Sequence, residues 1–170
     1  PNVTYDIQAS GVSVQQTRDA GVGALAIDTS GRFANNTLTT DTTLSGSGIG
    51  LSANGTVEIA GTPTLNLSVD GTAPLSLANR ILAEGGRSVQ GTVAVNARIT
   101  GPASQPSVNG TVSTSGASFV DSTANVALNG INASIELNGQ SATITSLSAN
   151  LAGGGQILVA HRLEVILDNP

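Results

Sequence analysis

The chain has 170 residues, of which 39% are hydrophobic, 2% aromatic and 10% charged, and its net charge is −5. With no basic stripe and almost no stacking aromatics it is not expected to bind nucleic acid, and with no Cys it has neither a disulfide framework nor a Cys-ligated metal site. Trp is absent, Phe occurs twice and Tyr once, so an apolar interior must be assembled from Val, Ile, Leu and Ala, which makes it smooth and thin.

Along the chain, apolar residues alternate with small polar ones, the period-2 signature of strands with one sheltered face. The pattern begins at Val3-Thr4-Tyr5-Asp6-Ile7 and Val12-Ser13-Val14. It returns at Leu65-Asn66-Leu67-Ser68-Val69-Asp70 and at Val93-Ala94-Val95-Asn96-Ala97-Arg98-Ile99. It closes with Val126-Ala127-Leu128, Ile131-Asn132-Ala133-Ser134-Ile135-Glu136-Leu137 and Leu147-Ser148-Ala149-Asn150-Leu151. Asn54-Gly55, Asp70-Gly71, Asn129-Gly130 and Asn138-Gly139 read as hairpin turns, because both residue types tolerate the positive φ that tight turns require. Alternation runs through Asn109-Gly110 from Val108 to Val112, so there Gly reads as a bulge within a strand.

One segment departs from the pattern. Pro74 precedes Leu77, Ile81 and Leu82 at helical spacing, and Gly85-Gly86 follow, which predicts one short amphipathic helix near 75–85 that plugs an end of the sheet. The sequence therefore predicts an all-β fold: a long antiparallel curled sheet, a half-pipe or β-taco, with an apolar inner groove and one short helix. Residues 1–158 read as a single domain, and 159–170 as an irregular C-terminal segment or a final strand.

No constellation for catalysis emerges. The only His is His161, Lys and Cys are absent, and no Ser occupies a Gly-x-Ser-x-Gly elbow. The acidic residues are spread evenly and read as solubilising charges. Gly153-Gly154-Gly155-Gln156 lacks the Asp of calcium-binding glycine repeats and the Lys of a phosphate-binding loop. The expectation is a non-enzyme with no catalytic residues, no cofactor and no metal.

The order of elements resembles the C-terminal region of the TamB family, related to AsmA-like envelope proteins. The resemblance rests on Ala73-Pro74-Leu75 entering the helix, the strand from Gly91 to Gly101, and the turn Gly101-Pro102-Ala103-Ser104-Gln105-Pro106. It continues with Val108-Asn109-Gly110-Thr111-Val112 and the run from Leu128 to Ile135, and ends at Ala149-Asn150-Leu151-Ala152-Gly153-Gly154-Gly155. It covers roughly residues 20–158, and after Gln156 the sequence departs from the plan. The resemblance implies a periplasmic segment of an envelope protein whose inner-membrane anchor lies outside this fragment. It also implies a TamA-like outer-membrane barrel as partner, with phospholipid transport between the membranes, barrel and autotransporter assembly, or both, as the task.

Parity then nominates an inner face. Val93, Val95 and Ile99 share one face of a strand, as do Ile131, Ile135 and Leu137, while Asn96, Arg98, Asn132, Ser134 and Glu136 point to water. With Val112 and Leu128 these are the residues expected to contact phospholipid acyl chains or nascent barrel strands. The competing expectation is a secreted or surface β-solenoid of the adhesin-passenger type, which the irregular spacing and the mid-chain helix disfavour.

Overall fold

In a computed structural model, residues 2–13, 23–159 and 163–166 are described; Val14 and His161, singled out above, lie outside them. Among the described residues twelve strands form one sheet: β1 (Asn2–Val12), β2 (Leu25–Ala34), β3 (Thr37–Gly46), β4 (Ile49–Glu58), β5 (Thr64–Pro74), β6 (Arg87–Gln90), β7 (Thr92–Pro102), β8 (Ser107–Asp121), β9 (Val126–Gly139), β10 (Ser141–Leu151), β11 (Gln156–Val159) and β12 (Leu163–Ile166). The order β1-β2-β3-β4-β5-β7-β8-β9-β10-β11 makes a meander in which every pairing is antiparallel and the ends do not meet. β6 pairs with the far end of β8 and prolongs the line of β7; β12 pairs with β10 beyond the stretch that β11 occupies. The C-terminal segment thus supplies a final strand.

A 3₁₀ turn (Leu75–Ala78) runs directly into α1 (Asn79–Ala83), the short helix that Pro74 and the Gly pair predicted. Two contacts tie it down: the Leu75 amide donates to Gly91 O at 2.9 Å, and Asn79 Oδ1 accepts from the Val89 amide at 2.7 Å. Its amphipathicity is weaker than its spacing implied. Leu77 and Leu82 are half-buried, but Ile81 is 80% exposed, because the helix rests on the end of a single-layer sheet and has nothing on its far side.

The glycine dipeptides do not behave alike. Only Asn138-Gly139 sits at a hairpin, between β9 and β10. Asn54-Gly55 and Asp70-Gly71 lie inside β4 and β5, and Asn129-Gly130 inside β9, so three expected turns are strand interior. Gly110 also lies within a strand, but β8 keeps register on both sides of it, so there is no bulge there. The positive φ these residues permit is used within the strands instead. At Gly71 (φ 143°) a Cβ would stand 2.0 Å from Gly50 O, and at Gly110 (φ 153°) 2.2 Å from Asn96 O. Both mark close backbone approaches that no larger residue allows. The tight hairpins fall at Asn35-Asn36 (φ 50° and 60°) and Ser47-Gly48 (φ 52° and 80°), each with both central residues left-handed, as type I′ turns require.

Among the described residues the sheet has no second layer. Only Leu25, Ala97, Ala117 and Ala149 are buried among the described hydrophobic residues. The accessible surface is 10340 Å², against roughly 7,600 Å² for a compact monomer of this mass. Replacing Gly110 with Ala should cost about 2–3 kcal/mol in urea unfolding, from steric clash and a forbidden φ. Gly50→Ala, where a Cβ meets nothing within 4 Å, should stay within about 1 kcal/mol of the parent.

Candidate functional site

Directly paired residues in an antiparallel ladder project to the same side, so the register alone assigns the faces. Val95 lies opposite Gly71 and Val112, Val112 opposite Ile135, and Ile135 opposite Ile144. Val93 joins Ala73 to Thr114, Ile99 joins Leu67 to Val108, and Leu137 joins Gly110 to Ala142. Ile131 faces Ala117, and Leu128 faces Phe119 and Leu151. All eight residues nominated from sequence therefore occupy one face. That face continues through Leu67, Gly55, Thr40, Gly31 and Tyr5 to the first strand.

The continuity depends on coordinated bulges. In β8 the apolar positions switch from even (Val108, Val112) to odd (Ala117, Phe119), and the register shifts between Thr114 and Ala117. In β9 they switch from even (Val126, Leu128) to odd (Ile131, Ile135, Leu137), and the register shifts around Asn129-Gly130. In β10 Ile144 gives way to Leu147 across a further shift. An extra residue turns the following side chains to the opposite face, so each sequence switch cancels a bulge and the face stays aliphatic. Asn132 closes the β8 bulge, its Oδ1 accepting from Ser115 Oγ at 3.0 Å and from the Gly116 amide at 3.1 Å.

The opposite face is mostly polar, with Ala94, Val120 and Ala127 among its Asn, Ser, Thr and charged residues. Asn96 stands between Asp70 and Thr111, and Thr111 beside Glu136. Arg98 donates from Nη2 to Asn66 Oδ1 at 2.8 Å, and Ser52 Oγ bonds the Asp70 carboxylate.

The aliphatic face is concave where the helix meets it. A cavity of about 260 Å³ lies between Leu75 of the 3₁₀ turn, Val89 of β6, Thr114, Ala117 and Phe119 of β8, Leu128 and Ile131 of β9, Leu147 and Ala149 of β10, and Ile157 of β11. Thr114 is the sole polar residue in that lining, and its hydroxyl donates to Thr92 O at 2.8 Å. Of the nominated residues Leu128 and Ile131 line this cavity. Val93, Val95, Ile99, Val112, Ile135 and Leu137 lie on the same face outside it. Phe119, Leu147 and Ile157 were not nominated; following the alternation through the parity switches would have found them.

An ion pair secures the helix end of this cavity. Asp121, with its side chain 12% exposed, accepts from Arg87 Nε at 2.9 Å and from the amides of Thr123 (3.0 Å) and Ala124 (2.8 Å). The Ala124 amide and then the Arg87 guanidinium hold its carboxyl below the ordinary carboxylate range. The Ser122 amide donates to Gly86 O at 2.9 Å and Thr123 Oγ1 to Gly85 O at 3.2 Å, so the β8–β9 turn grips the segment that follows α1.

Among the described residues no group of three or more His, Cys, Asp or Glu could hold a metal ion, and no helix is long and apolar enough to cross a membrane. No family model, no curated protein and no solved structure matches the chain.

A carboxylate whose folded pKa is lowered stabilises the fold above its unfolded pKa, and that contribution is lost as pH falls through the folded value. Asp121→Asn should therefore lower the thermal midpoint by a constant amount between pH 8 and 5. The gap between parent and variant should close below about pH 4, where the parent's own carboxyl takes up its proton.

Proposed function

We propose that the chain is a non-enzymatic periplasmic segment of a TamB-like envelope protein, whose aliphatic trough shelters phospholipid acyl chains in passage between the inner and outer membranes. The observation that carries this is the one-sided sheet: an apolar face that runs across the strand order with no second layer over it among the described residues, backed by a predominantly polar face. An acyl chain covers such a face at about 0.8 kcal/mol per buried methylene and needs no pocket of fixed shape. The headgroup stays in water at the open side.

The uncharged row of Val95, Val112, Ile135 and Ile144 suits this cargo, with the Arg87–Asp121 ion pair of the same face held at the helix end, and the sequence order of helix, strand, Gly-Pro turn and strand pair supports the TamB-like assignment. The antiparallel meander supports a trough over a solenoid, whose coils stack in parallel. The exposed edge of β1 supports the second part of the resemblance, a TamA-like barrel or a nascent barrel strand as partner. Val3 and Ile7 there are 53% and 54% exposed, and the backbone on that side has no neighbouring strand among the described residues.

Replacing Val95 and Ile135 together with Asp should abolish co-purification of phospholipid, as read by native mass spectrometry, and transport in cells. Asn96→Asp with Ser134→Asp, one position away on the other face, should leave both unchanged. Circular dichroism establishes that each variant is folded. A folded Val95/Ile135 variant that keeps its lipid would refute the acyl-chain trough.

A further inference from the structure

The aliphatic face carries a polar island away from the cavity. Across β1, β2 and β3, Tyr5, Thr29, Thr40 and Thr42 all lie on the inner face, since Tyr5 pairs with Gly31 and Gly31 with Thr40, while Ile7 pairs with Thr29 and Thr29 with Thr42. Tyr5 Oη donates to Thr40 Oγ1 at 2.9 Å; Thr40 and Thr42 are 3.1 Å apart, Thr42 and Thr29 2.7 Å. Apolar rows bracket the island toward both strand ends. Val3, Phe33, Leu38 and Val57 form one, and Ala9, Ile27, Leu44 and Leu51 the other. It therefore sits in the floor of the trough and not at a rim. Beside it Gly31 and Gly55 contribute no side chain, and the Tyr5 ring lies over Gly31.

Counting protons shows that the island is incomplete. Four hydroxyls have four protons, and the three good contacts use three of them. The remaining contact, between Thr29 and Thr40, is 3.5 Å, too long for a good O–H···O bond. A purely hydrocarbon occupant would bury that remaining donor unpaired, whereas an occupant with an oxygen at this depth would accept from it. The nearby charges, Asp6, Asp28, Arg32 and Asp41, pair among the outer-face residues, so nothing here offers a cation to a phosphate.

We propose that Tyr5, Thr29, Thr40 and Thr42 form a hydrogen-bonding subsite in the trough floor that takes the neutral carbonyl of an acyl ester, fixing where along the trough the acyl chain begins. The subsite rests on the trough reading above, and the experiment separates the two. The purified domain is loaded from an equimolar mixture of methyl palmitate and the n-alkane of equal heavy-atom count, and native mass spectrometry reads the ratio bound. Dodecyl phosphate, in a separate competition, probes the charged headgroup.

The parent should prefer the ester by about fivefold to tenfold, as one good hydrogen bond provides, and dodecyl phosphate should not displace it. The quadruple variant Tyr5→Phe, Thr29→Val, Thr40→Val, Thr42→Val removes all four hydroxyls while keeping shape and strand propensity, and should bind both ligands with a ratio near one. Tyr5→Phe alone removes one proton and one contact together, so it still leaves one donor unpaired and should keep the parent's ratio; circular dichroism establishes that the quadruple variant is folded. A parent that binds ester and alkane equally, a Tyr5→Phe variant that loses the preference, or a folded quadruple variant that keeps it would overturn the subsite and leave the trough standing. Displacement by dodecyl phosphate would overturn the neutral-carbonyl assignment. A parent that binds neither apolar ligand would overturn the trough reading and the subsite with it.

Discussion

Everything in this protein follows from an antiparallel meander that satisfies its backbone within one layer while leaving one of its two faces aliphatic. Ladder hydrogen bonds complete the backbone's polar groups, but they do nothing for Val95, Val112 or Ile135, which would normally be covered by a second sheet or by helices. Among the described residues the only helix is nine residues long counting its 3₁₀ turn, and it covers one end. The remaining shelter comes from neighbouring side chains crowding on a concave surface. The inner positions are accordingly half-buried along strand after strand where a core would be fully buried.

Such a face is useful only if it is unbroken, and in a sheet of long strands that is difficult to arrange. Strands of eleven to fifteen residues accumulate twist, and bulges relieve it at the cost of inverting every side chain beyond them. The parity switches at Ser115-Gly116, Asn129-Gly130 and Thr145 answer that inversion in three successive strands. Substituting or deleting one bulge residue would do more than alter a local kink: it would turn half a strand's aliphatic residues outward and its Ser and Asn inward. Phe119 illustrates the consequence, since it reaches the cavity because the bulge at Gly116 carries it there.

The same reasoning separates what the sequence discloses from what it hides. β5, β7, β9 and β10 are legible because Leu, Val and Ile alternate with Asn, Ser and Thr in well-contrasted runs on either side of any bulge. β2, β3 and β4 are nearly invisible, because Thr29, Gly31, Thr40, Thr42 and Gly55 occupy inner positions and dilute the hydropathic contrast on which alternation depends. Asn54-Gly55 and Asp70-Gly71 mislead for a different reason. Positive φ is the same requirement whether the chain reverses direction or passes close to its neighbour, and only pairing partners tell the two apart. The eight nominated residues were within reach of parity because each lies on a well-contrasted strand. The cavity required a third dimension, since Leu75, Val89 and Ile157 converge from elements that the linear pattern does not bring together.

The shortage of aromatic residues is the compositional counterpart of an open trough. Large rings would fill the concavity and convert it into a core, whereas Val, Ile, Leu and Ala line it thinly and leave its volume to an occupant. A lining of this kind makes contacts that are individually weak and indifferent to the identity of an alkyl chain, so occupancy is governed by the length of chain buried and not by fitted shape. On the proposed function, in which the folded sheet takes up such chains and the unfolded one has no trough, occupancy and stability would be linked: each chain taken up would stabilise the sheet, and the sheet would be loosest when empty. An emptied trough faces water with surface that could equally be covered by a second copy. The polar outer face, with Asp70, Asn96, Arg98 and Glu136 along it, restricts such association to the inner side and the edges.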